Sequence, residues 1–325
     1  MTPKEPLLVD CDTGIDDALA LLYLLGDPDV DLRAITSVFG NTDAETAASN
    51  SLRVLDLVGR EDIPVAVGAR SNWRGTFHPA PHVHGDDGLG NTVLAEPAGR
   101  PSTEPAVELI TRLADENPGQ LNILAIGPLT NLATALLLEP SLPERIKHVT
   151  IMGGAVHHPG NITPVAEANI ANDPEAARMV LRADWDVTLV PLDVTMTETI
   201  TERHLDRLRT CDSPASVFAT GVLDHYLDFY RHDVFGTRQA ACHDPLAAGI
   251  AVGDVRPAVA PNLRVDVDTG DGPARGTTVV DTRGQYRGFP SQEGARVRVA
   301  LRTDGTFPDR LVERLTAAAL SQDVA

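Results

Sequence analysis

The sequence predicts an α/β fold: a Rossmann-like, mainly parallel sheet flanked by helices, with an added antiparallel β portion near the C-terminus. Three observations carry this. Short apolar, β-branched runs recur along the chain, most are followed by residues at helical spacing, and the alternation of the two implies right-handed βαβ crossovers. The strand-like runs are Leu7–Val9, Leu32–Val38, Val65–Val67, Leu121–Ile126, His148–Met152 and Val187–Leu192. Helices read from Asp16–Leu25, Ala44–Gly59, Pro105–Glu116, Thr130–Leu138, Pro174–Arg182 and Asp244–Val252, several opened by Pro or an Asx/Thr cap.

Two stretches break the rhythm. Residues Arg70–Asn91 hold many Gly, Pro and His with little periodicity, and a loop that long in a compact domain reads as a mobile segment near a site. In Asn262–Arg302, the runs NLRVDVD, TTVVDTR and ARVRVALR look like strands joined by polar turns, before a final helix near Asp309–Ser321. No repeat or linker divides the chain, so residues 1–325 are expected to form one domain.

Composition narrows the function. The 325 residues are 42% apolar and 22% charged, an ordinary globular mixture. With 27 Lys+Arg against 46 Asp+Glu, the net charge of −19 disfavours nucleic acid and anionic membranes as partners. Three cysteines without a C-x-x-C pair suggest neither a disulfide framework nor a thiolate zinc site. No secretory signal or membrane-length apolar run is read, and a cytoplasmic location is expected.

The sharpest feature is LLVDCDTGIDDALALLYLL, Leu7–Leu25, a buried strand, a tight turn and an apolar helix. Asp10, Asp12, Asp16 and Asp17 crowd that junction, and like charges so close repel by several kcal/mol unless a cation or protons intervene. A hard divalent cation with oxygen ligands answers this, at the strand ends where open α/β sheets bind their ligands. Helix capping accounts for one Asp, or two at most, and leaves Asp10 and Asp12 without partners. Similar lettering occurs in phosphatases of the aspartyl-phosphate type, but there the order is Gly-Thr, whereas this chain has Thr13-Gly14 and a second Asp pair.

The opening motif resembles D-x-D-[PT]-G-x-D-D of the inosine-uridine preferring nucleoside hydrolase family. The resemblance continues in order through Val38–Asn41, His82–Gly90, Ile126–Ala133, Ile151–Val156, Gly160–Ile170, Asp173–Ala177 and Cys242–Ala247. It implies hydrolysis of the N-glycosidic bond of ribonucleosides with Ca²⁺ as cofactor, and a small-molecule ribonucleoside as the partner. A homodimer or homotetramer follows by analogy with relatives. The resemblance makes Asp12, Asp17, Asp244 and the Ile126 carbonyl the metal ligands and Asp12 the base for the attacking water. Asp16, Asn161, Glu167 and Asn169, with Asn41, are implied as ribose ligands.

Read alone, Asp244 before Pro245 is a plain N-cap, and Asn161–Asn169 a surface loop. His243 is a candidate acid for the leaving base, because imidazole titrates near neutrality. His82 and His84 lie in the long loop within reach of substrate. Tyr226 and Tyr230, one turn apart, share a helix face that either packs or flanks the base. Ala168 stands where some relatives carry an aromatic residue. Two further readings stay open from sequence: a metal-dependent phosphatase, disfavoured because no Lys or Arg accompanies the acidic motif, and a non-catalytic ribose- or nucleoside-binding protein.

Overall fold

The computed structural model describes residues 4–317. Among the described residues twelve strands are formed: β1 (Pro6–Cys11), β2 (Asp31–Ser37), β3 (Val65–Val67), β4 (Leu121–Ala125), β5 (Ile146–Met152), β6 (Val187–Val190), β7 (Thr199–Thr201), β8 (Gln239–Ala241), β9 (Asn262–Leu263), β10 (Val265–Val267), β11 (Thr278–Val280) and β12 (Val297–Val299). Eight build the central sheet in the order β3-β2-β1-β4-β5-β6-β12-β9. All pairings from β3 to β12 are parallel, and β9 alone runs antiparallel at the edge.

The six expected strands all form, each within three residues of its predicted ends, and the helices Thr130–Leu138 and Pro174–Arg182 match residue for residue. Leu192, expected to end a strand, instead opens the short helix Leu192–Thr195. The C-terminal addition divides in two. Strands β10 and β11 form the expected antiparallel pair, whereas β12 joins the main sheet parallel to β6. The final helix covers Phe307–Leu315, and the expected stretch beyond residue 317 lies outside the described residues. Sequence reading did not foresee the β7-β8 pair or the helix Glu202–Leu208 between them.

Both faces of the sheet are covered, which is why its central strands read as continuous apolar runs. On one face lie the helices Ile15–Leu25, Ala44–Leu57, Pro214–Tyr230, His243–Ala251 and Phe307–Leu315; on the other, Ala106–Glu116, Thr130–Leu138 and Pro174–Arg182. The helix Ile15–Leu25 is buried along its whole length. Strand order reverses between β1 and β4, the switch point at which the loops of an open sheet part and leave a crevice.

Segment 70–91 contains the helical turn Pro81–His84 and is anchored at its start. Asn72 donates to the Asn172 carbonyl, the Trp73 amide donates to Asp173, and Arg74 pairs with Glu175 and Asp271. Among the described residues no helix is long and apolar enough to cross a membrane.

Leu8 is fully enclosed at the centre of β1. Leu8→Ala is expected to lower the unfolding free energy by about 2–5 kcal/mol, read as a reduced urea midpoint with unchanged slope.

Candidate active site

The carboxyl ends of β1, β2 and β4, together with the start of the helix His243–Ala251, converge on one acidic centre. Asp12 follows β1, Asp16 and Asp17 occupy the first turn of the next helix, and Asp244 occupies the first turn of His243–Ala251. Oxygens of Asp16, Asp17 and Asp244 lie within 4.8 Å of one another, all three residues being buried. Asp12 sits against this trio: its Oδ2 accepts from the Asn41 amide at 2.7 Å, while Asn41 Nδ2 donates to Asp17 Oδ2 at 3.0 Å. One asparagine thus holds two of the carboxylates.

Gly40 makes room for this approach, since a Cβ there would stand 2.0 Å from Asp12 Oδ2. Asp17 also does the work capping predicts, its Oδ2 accepting from the Gly14 amide at 2.9 Å. Capping leaves the rest unexplained. Asp12 Oδ1, Asp16 Oδ1 and Asp17 Oδ1 are buried without a hydrogen-bond partner, and among the described residues no Lys or Arg pairs with any of the four carboxylates. Desolvation drives all four above the ordinary Asp range, and repulsion from neighbouring carboxylates adds to it at Asp12, Asp17 and most clearly Asp244, which feels the other three. Such a group stays charged only beside a cation. All donors are oxygens, which fits a hard divalent ion.

Asp10 is not part of the cluster. Its Oδ1 accepts from Thr36 at 2.6 Å and Asn131 at 2.7 Å, and its carbonyl accepts from the Ile126 amide at 2.9 Å. It ties β1, β2 and the turn after β4 together beneath the site.

Above the carboxylates opens a cavity of about 170 Å³. Of the residues singled out by sequence, Asp16, Asn41, His82, Ile126, Asn161, Glu167, Asn169, Tyr226, Tyr230, His243 and Asp244 line it, and Asp12 and Asp17 lie beneath its floor. Its polar side is partly pre-engaged. Asn169 Nδ2 donates to the Ile126 carbonyl at 3.0 Å and to the Met152 carbonyl at 3.2 Å, and Asn161 Oδ1 accepts from the Ala168 amide at 2.9 Å. A carbonyl oxygen accepts twice, so Ile126 keeps one lone pair.

Glu167 caps the short helix Ala168–Asn172 by accepting from the Asn169 and Ile170 amides, and it also accepts from the Gly154 amide. At the far end, His243 Nδ1 meets Thr195 Oγ1 at 2.7 Å and Nε2 meets the Tyr230 hydroxyl at 2.6 Å, and burial pulls its pKa to about 4. The Tyr226 hydroxyl donates to Asp16 Oδ2 at 3.2 Å. His84 accepts from the Ile15 amide at 3.1 Å, so it braces the first helix and borders the cavity from there.

Sequence reading missed the apolar wall, made by Val83, Met152, Met196, Phe229 and Val234. Phe229 lies between the two tyrosines already noted, and that proximity was the available signal. Thr195 gave none, because its contact with His243 spans two separate elements.

A parallel sheet with a buried, all-oxygen acidic centre at its switch point, opening onto a half-polar, half-apolar cavity, defines the class: an α/β enzyme whose site suits a metal ion and a small molecule. The chain matches the inosine-uridine preferring nucleoside hydrolase family over residues 7–307 and belongs to it. It is therefore an N-glycosyl hydrolase acting on ribonucleosides, in a family of metal-dependent enzymes. The pyrimidine-specific ribonucleoside hydrolase RihA of Citrobacter koseri is 38% identical over 312 residues, covering 95% of this chain and 97% of its own. The enzyme of the same name from Photobacterium profundum is 35% identical, covering 96% and 99%. A plant nucleoside hydrolase superposes with a TM-score of 0.88 at 34% identity, covering 97% of this chain and all of its own. The purine-preferring ribonucleoside hydrolase from Gardnerella vaginalis also gives 0.88, at 30% identity, covering 97% and 99%. Membership removes the phosphatase and passive binding-protein readings.

Burial holds Glu167 up at about 7 despite three amide donors. The folded state then retains a proton that the unfolded chain gives up near 4.5, so this contribution to stability is complete below that pH and lost as pH rises through about 7. Through this group, metal-free protein is expected to lose stability between about pH 4.5 and 7. Glu167→Gln should flatten part of that slope, measured by urea unfolding across the range.

Proposed function

We propose that the cation is Ca²⁺, held by Asp12, Asp17, Asp244 and the Ile126 carbonyl, and that the chain's substrate sits with its ribose on these groups and its base against the apolar wall. The observation that carries this is the buried, counterion-free carboxylate group under a cavity whose two sides differ in polarity. When bound, the ion supplies positive charge that keeps the carboxylates ionised, grips the ribose diol and acidifies a water.

The chain's own residues do the rest. Asp16, Asn161, Glu167 and Asn169 bind the ribose hydroxyls, and Asn41 fixes the direction of Asp12 and Asp17. Asp12 takes a proton from the water as its oxygen bonds to C1′ and the bond from C1′ to the base nitrogen breaks. Positive charge growing on the ring is stabilised by the surrounding carboxylates, and displacement from the opposite face gives inversion. His243, which Thr195 and Tyr230 orient, protonates or hydrogen-bonds the departing nitrogen. Tyr226, Tyr230 and His82 border the base, with Phe229 beside them. The name carried by the Citrobacter and Photobacterium relatives supports uridine and cytidine as preferred substrates.

Asp12→Asn is expected to keep the fold and lose at least about 10²-fold in kcat, as removal of a general base does. Near-normal turnover of uridine contradicts that role. A panel of uridine, cytidine and inosine, run with a chelator and after calcium is restored, should show free base released only with the ion. His243→Ala should cripple uridine hydrolysis while largely sparing a p-nitrophenyl riboside, whose leaving group needs no proton; equal losses on both substrates assign the acid elsewhere.

A further inference from the structure

A second cavity, of about 420 Å³, lies on the sheet face beside β5, β6 and β12 and is closed by the end of the helix His243–Ala251 and the turn after it. Its volume falls within the roughly 300–1,000 Å³ of small-molecule sites. The sheet face here is polar where a covered parallel sheet is normally apolar. Thr150 of β5 is paired with Thr188 of β6, and Thr188 in turn with Arg298 of β12. His148 Nε2 meets Thr188 Oγ1 at 2.9 Å. Two residues further along the same three segments, Met152, Val190 and Ala300 all belong to the core. Toward the core the polar set therefore ends at the cavity.

Charge sharpens this contrast. In a chain of net charge −19, most arginines near the surface are engaged by carboxylates. Arg298 and Arg256 both border this cavity, one from the sheet and one from the turn that closes it, and among the described residues no carboxylate pairs with either. One acidic side chain, Asp186, influences the flank of His148, so cationic charge exceeds anionic at the cavity.

We propose that this cavity binds a small phosphate-bearing anion. Guanidinium forks match phosphate oxygens, and threonine hydroxyls and an imidazole serve the remaining ones. The site stands apart from the reaction centre: the helix that presents His243 and Asp244 at its first turn reaches the cavity with Ile250 and Ala251 at its last. It does not depend on the catalytic roles proposed above.

Calorimetric titration of the full chain with inorganic phosphate, ribose 5-phosphate and ribose tests the site and separates free phosphate from its ester. Saturable binding of one or both anions is expected, whereas ribose, which the reaction centre takes, should bind the wild type and both variants alike. Arg298→Gln and Arg256→Gln should each weaken the anion at least about tenfold, the loss expected for a charged hydrogen-bonding partner. Uridine hydrolysis without added anion should stay unchanged, which also reports that both variants fold. Absence of binding, or equal affinity in the wild type and both variants, overturns the proposal.

Discussion

Four carboxylates that no Lys or Arg among the described residues pairs with, held out of water at one point in the fold, are the constraint on which the rest of the molecule depends. Bringing them together costs folding energy through desolvation and repulsion, and protons or a cation must offset that cost. The surroundings make the second outcome useful. Asn41 orients two of the four, Gly40 allows the chain to pass against Asp12, and Asp10 pins the neighbouring strand ends from below. These are polar contacts in a dry interior, where geometry is strongly held.

The architecture explains why the charge can be tolerated at all. At the switch point between β1 and β4 the flanking loops diverge, so acidic side chains leave the strand ends into a crevice instead of into the apolar core. The same opening separates a polar side from an apolar one, and a ribonucleoside has two such halves. Strength in the sheet and reactivity at its edge are consequences of one topology.

Much of this was legible in the chain itself. Asp10, Asp12, Asp16 and Asp17 announce a cation centre because four acids within eight residues cannot be explained by capping, and the strand and helix periods around them are strong. Asp244 and Ile126 were reachable only through family resemblance, since an N-cap Asp and a strand-ending Ile look ordinary in isolation. Less visible were features that packing creates. Thr195 meets His243 through tertiary contact, Met152 and Met196 join Phe229 of the helix Pro214–Tyr230 in one wall only in the folded chain, and β12 enters the sheet in parallel although an antiparallel addition was expected there. The first Asp was misleading in a different way: Asp10 shares the motif's charge but serves the scaffold.

The central claim is that the acidic group exists to seat a divalent ion. A crystal structure of the calcium-soaked protein, with anomalous scattering to locate the ion, addresses it most directly. The account predicts one peak bounded by Asp12, Asp17, Asp244 and the Ile126 carbonyl at roughly 2.3–2.6 Å. No peak there at saturating calcium, with the carboxylates turned away from one another, would contradict it.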